Sequence, residues 1–355
     1  MADQITLDQW NRTLLARQHL LERVAEDAIE VLDRCVGLQA QDPKAPFYGL
    51  WSRIEGFEPA ELDDLLTSRE VVRMAVLRST VFLMDSEDAR WMRPVVQPAT
   101  DSEMARHVRM LSTTTREAVL DDARELLTAE PHSSVALGRA LAERHPGENP
   151  ASLTLIARCG LALVQVPPRG LWRGSGMPTY RLFDDWAGEG EPAVVDDEAR
   201  RDLIRLYLRG FGPASIKGIQ TWCGLTRLRP LVQQMVDDWE LMAMTGPDGV
   251  ELFDLEGLDI IDGDIPAPVR LLAPYDNVLV AQADRRRITG EEQFRQVSTV
   301  NGQAPGYVLV DGRLAGSWRR DGEQVHVELM GEITRRGKRE LDAEVQRLQD
   351  FCALP

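Results

Sequence analysis

The stretch FGPASIKGIQTWCGL, residues 211–225, has the composition of a helix-turn-helix. Pro213 suits the first turn of a helix, where its missing N–H group is not needed. Gly224 can end that helix, because glycine adopts the left-handed backbone conformation that other residues resist. We therefore predict a helix over residues 213–223 and a second helix over residues 228–236.

The segments on either side of this stretch complete a larger unit. A helix is predicted over residues 197–209, and the strands WELMAMT and VELFDL, joined by the turn GPDG, form a predicted hairpin over residues 239–255. Three helices followed by a β-hairpin are the winged-helix variant of the helix-turn-helix, whose third helix usually enters the major groove of DNA. Many winged-helix domains bind only proteins, so this fold alone leaves the function open.

The same order of elements is predicted twice more, nearer the N-terminus. The helices are predicted over residues 7–24, 26–38 and 59–66, and over residues 114–128, 132–143 and 151–159. The hairpins are predicted at RMAVL and STVFLMD, residues 73–85, and at LALVQV and TYRLF, residues 161–183. Three groups that share one plan predict three tandem winged-helix units.

The pattern changes after residue 268. Alternating strands follow, separated by two Asp-Gly turns, and the chain ends in a helix over residues 335–351. The overall prediction is an α+β fold that is mainly helical, with three winged-helix units and a C-terminal element of a small β-sheet and a helix. The predicted boundaries are 1–95, 96–190, 191–268 and 269–355.

Length and composition are those of a soluble globular protein. The 355 residues exceed what one compact domain usually holds, so about two to four units that share buried surface are expected. Apolar residues make up 43% and charged residues 28%, which excludes a largely disordered chain. No apolar run approaches the roughly 18 residues that cross a bilayer, and the first residues lack the pattern of a signal peptide. We therefore expect a cytoplasmic protein without a membrane partner.

The charge pattern limits how the protein could bind nucleic acid. The net charge of −16 argues against a nonspecific coat protein, because nonspecific affinity comes largely from cations that neutralise phosphates. Of the 41 basic residues, 38 are arginine (41 − 3), which codon bias in a GC-rich genome would explain. Arginine also suits bidentate phosphate contacts, so a local arginine face could bind DNA. The predicted DNA-contacting residues are Arg78, Arg169, Arg173, Arg285, Arg286, Arg287, Arg313 and Arg319. For the C-terminal arginines, a solvated surface or a local ion pair is the alternative.

The cysteines and histidines give no metal site. The four cysteines are far apart in sequence and fit the pattern of small buried side chains in a reducing compartment. The five histidines are scattered, without an HExxH or similar cluster. No GxGxxG motif or P-loop occurs either, so we expect neither metal nor cofactor.

Several segments resemble the winged-helix DNA glycosylases of the AlkZ type, which in bacteria release bulky alkylated guanines and unhook crosslinks. The matching segments follow one another in order along nearly the whole chain. They are LARQHLLER, VGLQAQDP, VLRSTVFLMDSEDA, LVQVPPRGLWRGSG, GPASIKGIQTWCGL, LLAPYDNVLVAQADRRR and VLVDGRLAGSW. The resemblance implies three winged helices in a C-shaped arrangement around damaged duplex DNA. It also implies a β-hairpin that probes the minor groove, either residues 163–182 or residues 307–318.

The family's catalytic motif is a glutamine, a spacer and a second glutamine, or an aspartate in a sister branch. Gln39 and Gln41 of VGLQAQDP match the two-glutamine form. Asp42 could support the pair electrostatically, although an acid before a proline is more often a turn residue. Phe82 stands where many members of the family carry histidine, and this departure implies a different lesion pocket or reduced activity.

Two amides can suffice for this reaction if the base leaves without a proton. Residues two apart on a helix point in different directions, so we expect Pro43 to distort the end of the helix at Asp42. Guanine alkylated at N7 carries a positive charge, so its departure needs no general acid. Amide groups can place a water and steady the sugar by hydrogen bonding. We expect Gln41 to hold the water and Gln39 to orient water or sugar, or the reverse.

The function that the resemblance implies is that of a monofunctional DNA glycosylase, and we expect a monomer. Its substrate would be bulky or crosslinked N7-alkylguanine in duplex DNA, and its role self-resistance to a DNA-alkylating natural product. The alternatives are a noncatalytic winged-helix regulator and a protein-interaction scaffold. A regulator would usually be a dimer with one winged helix per protomer, whereas an acidic surface would suit a scaffold.

Overall fold

The computed structural model describes residues 4–280, 282–298, 304–322 and 324–355. The fold is α+β, with many helices and several small antiparallel sheets, as the sequence predicted. The chain forms two compact units. Unit 1 contains Met1–Glu61, Arg201–Trp222 and Arg227–Pro355, and unit 2 contains Leu62–Arg200 and Cys223–Thr226. Across the described ranges, we find no helix with the length and apolar character that a bilayer span requires.

The first group of elements has more helices than predicted, and they are shorter. The elements are α1 (Leu7–Arg17), α2 (Ala28–Arg34), β1 (Leu38–Gln39), α3 (Ala45–Trp51), α4 (Pro59–Ser68), β2 (Val71–Ala75) and β3 (Val81–Asp85). A capping box starts α1, because the Thr6 side chain accepts a hydrogen bond from the Gln9 N–H group and the Gln9 side chain accepts one from Thr6. The predicted helix over residues 26–38 is wrong beyond Arg34, where the chain turns into β1.

Helix α3 was not predicted. All seven of its residues are buried, so the helix has no polar face and its sequence shows no helical period. Pro46 obscures it further, although it lies in the first turn, where proline is tolerated.

The second group contains the predicted helices and hairpin. Its elements are α5 (Ser86–Val95), α6 (Gln97–Val108), α7 (Arg116–Ala129), β4 (His132–Ser133), α8 (Ser134–Arg144), α9 (Pro150–Gly160), β5 (Leu163–Gln165), β6 (Thr179–Leu182) and α10 (Phe183–Ala187). The Ser133 hydroxyl caps α8 by accepting from the Ala136 N–H group at 3.2 Å. Helices α5 and α6 were not predicted, because Pro94 and Pro98 interrupt their sequence pattern.

The hairpins of the first two groups form one antiparallel arrangement in unit 2. The strands lie in the order β3, β2, β5, β6 and β4. Met74 of β2 pairs with Val164 of β5, which joins the two hairpins edge to edge. Helices α7, α8 and α9 supply most of one apolar cluster in this unit.

The third group contains the three helices and the hairpin that the sequence predicted, with shifted boundaries. Its elements are α11 (Asp197–Phe211), α12 (Ile216–Cys223), α13 (Arg229–Asp237), β7 (Leu241–Thr245) and β8 (Glu251–Leu255). Gly224 follows α12 with φ of +83°, which confirms its predicted left-handed conformation. The prediction that Pro213 starts the helix is wrong. Ala214 exchanges two backbone hydrogen bonds of 2.9 Å with Phe253, so the chain before Ile216 runs beside β8.

The last group is the predicted small sheet and helix. Its elements are β9 (Arg270–Leu272), α14 (Asn277–Val280), α15 (Glu291–Val297), β10 (Gly306–Val310), β11 (Arg313–Asp321), β12 (Gln324–Leu329) and α16 (Arg335–Ala353). The sheet is antiparallel in the order β12, β11, β10, β9. Asp311 and Gly312 both have positive φ, +47° and +72°, as a type I′ hairpin turn requires.

A fully buried ion pair lies in the core of unit 1. The two side chains of Arg53 and Asp276 are 0% exposed. Their contact is bidentate, with Nη1 to Oδ2 at 3.0 Å and Nη2 to Oδ1 at 3.1 Å. Burial opposes the charge on Arg53, but the neighbouring carboxylate of Asp276 outweighs it and keeps the Arg53 pKa above its ordinary value.

We expect Arg53→Met to lower the free energy of unfolding by about 3–5 kcal/mol, because it leaves the Asp276 charge buried without its partner. Urea unfolding measures this. The control is Arg339→Met on the exposed face of α16, which should change the free energy by less than about 0.5 kcal/mol. Adding Asp276→Leu to Arg53→Met should restore much of the loss. Equal stability of the single and double variants would contradict the assignment.

Candidate catalytic motif and nucleic-acid interface

Gln39 is the second residue of the short strand β1, and Gln41 lies two residues further on, at a bend; neither lies at the end of a helix. Leu38 and Ala40 are buried, with 4% and 0% exposure, whereas Gln39 is partly exposed and Gln41 is exposed. Side chains of an extended chain alternate between two faces. The rule applies to Leu38 and Gln39 in β1, and the burial of Ala40 and exposure of Gln41 continue the same alternation beyond the strand, so both amides are accessible and both apolar residues face the core.

Strand β1 follows an unusual end of helix α2. The Val36 N–H group bonds to the Asp33 carbonyl at 3.0 Å, and the Gly37 N–H group bonds to the Leu32 carbonyl at 2.9 Å. These two bonds define a Schellman motif, whose left-handed position is usually glycine. Here Val36 occupies that position with φ of +54°. A β-branched residue in this conformation costs about 1–3 kcal/mol, so surrounding contacts must hold the turn.

Asp42 serves the turn that follows the motif. Its Oδ1 atom accepts a hydrogen bond from the Lys44 N–H group at 2.8 Å, and its carbonyl accepts one from Ala45 at 3.1 Å. The turn leads directly into α3. These contacts favour the turn role over the supporting catalytic role, since one carboxylate oxygen is engaged by the backbone.

Helix α3 supports the core side of the motif. A Cβ atom on Gly49 would lie 2.9 Å from Cδ1 of Leu38, so glycine permits the close approach of α3 and β1. The phenol of Tyr48 accepts a hydrogen bond from Arg320 Nη1 of β11 at 3.1 Å. The C-terminal sheet thus braces the helix that supports the two glutamines.

Two titratable groups near the motif stay neutral at physiological pH. Burial raises the pKa of the Cys35 thiol to about 11 and the pKa of Tyr48 to about 12. Neither group changes its protonation state near neutrality. The two amides themselves can act by hydrogen bonding.

In unit 2, a long loop between β5 and β6 carries Arg169 and Arg173. Nη1 of buried Arg73 donates to the Arg169 carbonyl at 3.2 Å. The Asp63 carboxylate accepts from the Trp172 N–H group at 2.7 Å. Sequence reasoning missed both supporting residues, although a charged residue inside the apolar strand RMAVL was a signal for Arg73. The anchored loop presents Arg173, which is exposed and lies 5.7 Å from the Trp172 ring.

Arg78 and Phe82 lie together in the hairpin of β2 and β3. The guanidinium carbon of Arg78 is 5.5 Å from the centre of the Phe82 ring, and Arg78 is partly buried. Phe82 is 0% exposed. Phe82 therefore belongs to the apolar core of unit 2.

The C-terminal arginines differ widely in their surroundings. Arg319 on β11 is exposed, and its guanidinium bonds to no group within the described ranges. Arg286 is exposed but pairs with Asp284 at 2.6 Å and with Asp248. Burial works against ionisation of Asp284, yet the hydrogen bonds from Arg286 hold its pKa below its usual range. Of these arginines, Arg319 is the one most open to a phosphate.

Arg285 and Arg313 are partly buried and already have partners. Arg285 lies 4.3 Å from the centre of the Phe294 ring and pairs with Glu291 at 3.6 Å. Arg313 pairs with Asp8 at 2.7 Å. Each keeps some exposure, so a DNA contact from either would compete with these protein contacts.

Arg287 does not fit the predicted interface. It is 1% exposed, and its guanidinium donates to the Phe211 carbonyl at 2.8 Å and to Gln282 at 2.7 Å. Burial lowers its pKa to about 10. The correction is that Arg287 serves the interior of unit 1, because a side chain enclosed in this way cannot reach a phosphate.

All four cysteines are buried free thiols, as the sequence predicted. Among the residues that the structure describes, no group of three or more His, Cys, Asp or Glu side chains has an arrangement that could hold a metal ion.

Comparison with known proteins gives consistent matches. Residues 32–351 match the family described as DNA glycosylase AlkZ-like. The chain is 25% identical over 339 residues to the interstrand DNA cross-link repair glycosylase of Streptomyces sahachiroi, covering 86% of this chain and 85% of that protein. It also matches the solved structure of the Streptomyces sahachiroi DNA glycosylase AlkZ, with a TM-score of 0.81 at 20% identity over 99% of each chain. At that identity the structural match shows a common fold.

Proposed function

The chain belongs to the AlkZ-like DNA glycosylase family, and on this premise we propose that it hydrolyses the N-glycosidic bond of N7-alkylguanine in duplex DNA. The observation that carries the proposal is the pair of accessible neutral amides, Gln39 at the end of β1 and Gln41 just beyond it. The lesions would be bulky or crosslinked. The similar Streptomyces protein is named for cross-link repair, which supports this substrate class.

The proposed reaction needs no proton donor to the base. Water attacks C1′ of the deoxyribose, and the bond from C1′ to N9 breaks through a state with oxocarbenium character. The bonding electrons neutralise the cationic purine, which leaves as neutral N7-alkylguanine. The attacking water gives its proton to solvent. The enzyme then acts as a monofunctional glycosylase and leaves an abasic site.

The amide groups of the two glutamines position the attacking water and the sugar by hydrogen bonding. Gln41 holds the attacking water through its amide oxygen, and Gln39 orients the water or the sugar, or the two roles are reversed. Asp42 adds electrostatic support through its second carboxylate oxygen, while Oδ1 caps the turn.

The proposed DNA-binding arrangement follows the family resemblance. Residues 1–95, 96–190 and 191–268 would act as three winged helices in a C around the duplex, with 269–355 as a C-terminal element. The protein would work as a monomer in the cytoplasm, as self-resistance to a DNA-alkylating natural product. The exposed side chains of Arg173 and Arg319 would contact phosphates first. The other predicted residues would contribute next, namely Arg78, Arg169, Arg285, Arg286 and Arg313.

We expect Arg173→Ala and Arg319→Ala each to weaken duplex binding and to reduce the slope of log K against log salt by about 1, because each removes one phosphate contact. Titration of an undamaged duplex at several salt concentrations measures the slope. Arg200→Ala is the matched control, because partly exposed Arg200, which pairs with Asp197 at 2.7 Å, lies outside the predicted interface. An unchanged slope in both variants would remove these residues from the interface.

The function itself is tested with duplex DNA that contains one 7-methylguanine. Abasic sites formed during incubation are converted to strand breaks and counted. Release of the base supports the glycosylase. A winged-helix regulator would bind the duplex without releasing base, and an interaction scaffold would show no salt-dependent binding at all.

A further inference from the structure

The turn that leads into the catalytic segment is held by one side chain from a distant part of unit 1. Nδ2 of Asn277 donates to the Gly37 carbonyl at 3.2 Å. Asn277 is 1% exposed and is the first residue of α14. Gly37 directly precedes β1 and follows strained Val36, so this bond acts where the backbone most needs support.

Asn277 is itself fixed by its neighbours. The backbone carbonyl of Asn277 accepts a hydrogen bond from Nε2 of buried Gln282 at 2.9 Å. The Gln282 oxygen in turn accepts from Nη2 of Arg287 at 2.7 Å. Buried Arg287 therefore holds Gln282, and Gln282 in turn holds Asn277.

The preceding residue holds the other side of the motif. Asp276 binds Arg53, and Nη1 of Arg53 donates to the Gly49 carbonyl in α3 at 3.0 Å. Two adjacent residues thus hold the chain before and after Gln39 and Gln41.

Stability alone does not explain an asparagine at this position. Its Oδ1 atom is buried and accepts no hydrogen bond within the described part of the chain. A buried acceptor without a partner is unfavourable, and native proteins retain few of them. An apolar residue of similar size would avoid this, but it could not hold the Gly37 carbonyl.

We propose that Asn277 is a positioning residue for the reaction: by holding the Gly37 carbonyl it fixes the direction in which β1 presents Gln39 and Gln41. It acts through the backbone and touches no substrate. The inference rests on the proposed function of the two glutamines and adds a specific residue to it.

The first test is Asn277→Ala in the full-length protein. The single-turnover rate of 7-methylguanine release should fall about 10- to 100-fold, because small displacements of catalytic groups have effects of this size. The dissociation constant for the same duplex should change less than about threefold. Gln346→Ala on the exposed face of α16 is the control and should match the wild type. A wild-type rate in Asn277→Ala would overturn the proposal.

The second test is Asn277→Asp, which separates positioning from a general loss of stability. An ionised carboxylate cannot donate to the Gly37 carbonyl, but a protonated one can. Burial should raise the pKa of the new carboxyl group, with Asp276 raising it further and Arg53 opposing. The Cys35 thiol near Arg53 stays neutral throughout this range. The variant's rate, corrected for release without enzyme, should therefore rise at least about 10-fold from pH 8 to pH 5.5. A pH profile parallel to that of Asn277→Ala would overturn the proposal.

A measurement that does not depend on catalytic activity separates the positioning role of Asn277 from the proposed glycosylase function. Hydrogen exchange at the amides of residues 38–42 should be at least about 10-fold faster in Asn277→Ala than in wild type or Gln346→Ala, with thermal unfolding curves recorded in parallel. If the wild-type protein releases no 7-methylguanine, the proposed function fails, and the exchange experiment still decides whether Asn277 holds this segment. Unchanged exchange there would reject the positioning role whatever the activity.

Discussion

Gln41→Ala is expected to lower the single-turnover rate of 7-methylguanine release by about 10²- to 10³-fold, which is the usual effect of removing one preorganised polar group from a reacting centre. Gln41 is exposed beyond the end of β1 and has no apolar packing to lose. The substitution should therefore leave stability and duplex affinity nearly unchanged. Rates with enzyme in excess over a 7-methylguanine duplex measure the chemical step directly.

Two further variants show what the side chain at this position must do. Gln41→Asp should keep more activity than Gln41→Ala, because a carboxylate oxygen can still accept a hydrogen bond from the attacking water. Gln346→Ala controls for the loss of an exposed amide elsewhere. If Gln41→Ala cleaves as fast as the wild type, the water must be held by another group and the proposed mechanism is wrong.

The structure shows why part of the motif's geometry could not be predicted. Repeating apolar patterns and Asp-Gly turns are local signals, and they predicted the helix-turn-helix and the C-terminal sheet. Strand β1 has two residues and no such signal, so its extended form depends on distant contacts such as that of Asn277 with Gly37. The predicted role of Pro43 in loosening a helix was therefore based on the wrong secondary structure. The burial pattern supports a shared face for both amides for a different reason.

The sequence also could not show which arginines of the predicted DNA interface are exposed. Arg286 and Arg287 are adjacent and identical in sequence, yet one is exposed and the other is buried. Sequence alone marks both as cations. Only the packing around Phe211 and Gln282 distinguishes a surface charge from an internal brace.

The second large effect concerns the charge of the base. We expect uracil in the same duplex context to be released at least about 10³-fold more slowly than 7-methylguanine, since general acid catalysis is commonly worth about 10²- to 10⁴-fold and amides cannot provide it. Uracil departs as an anion unless it is protonated or strongly stabilised. Parallel incubations with the two substrates, with a duplex of undamaged guanine as the blank, measure the ratio.

The pH profile tests the same mechanism independently. The two amides do not titrate, and the pKa values of about 11 for Cys35 and about 12 for Tyr48 lie above the working range. Loss of their protons would begin only at strongly alkaline pH, so the rate on 7-methylguanine should be constant to within about twofold from pH 6 to pH 9. A steep limb in this range, together with efficient uracil release, would mean that a titrating acid protonates the base. The neutral pair at residues 39 and 41 could not then account for the catalysis.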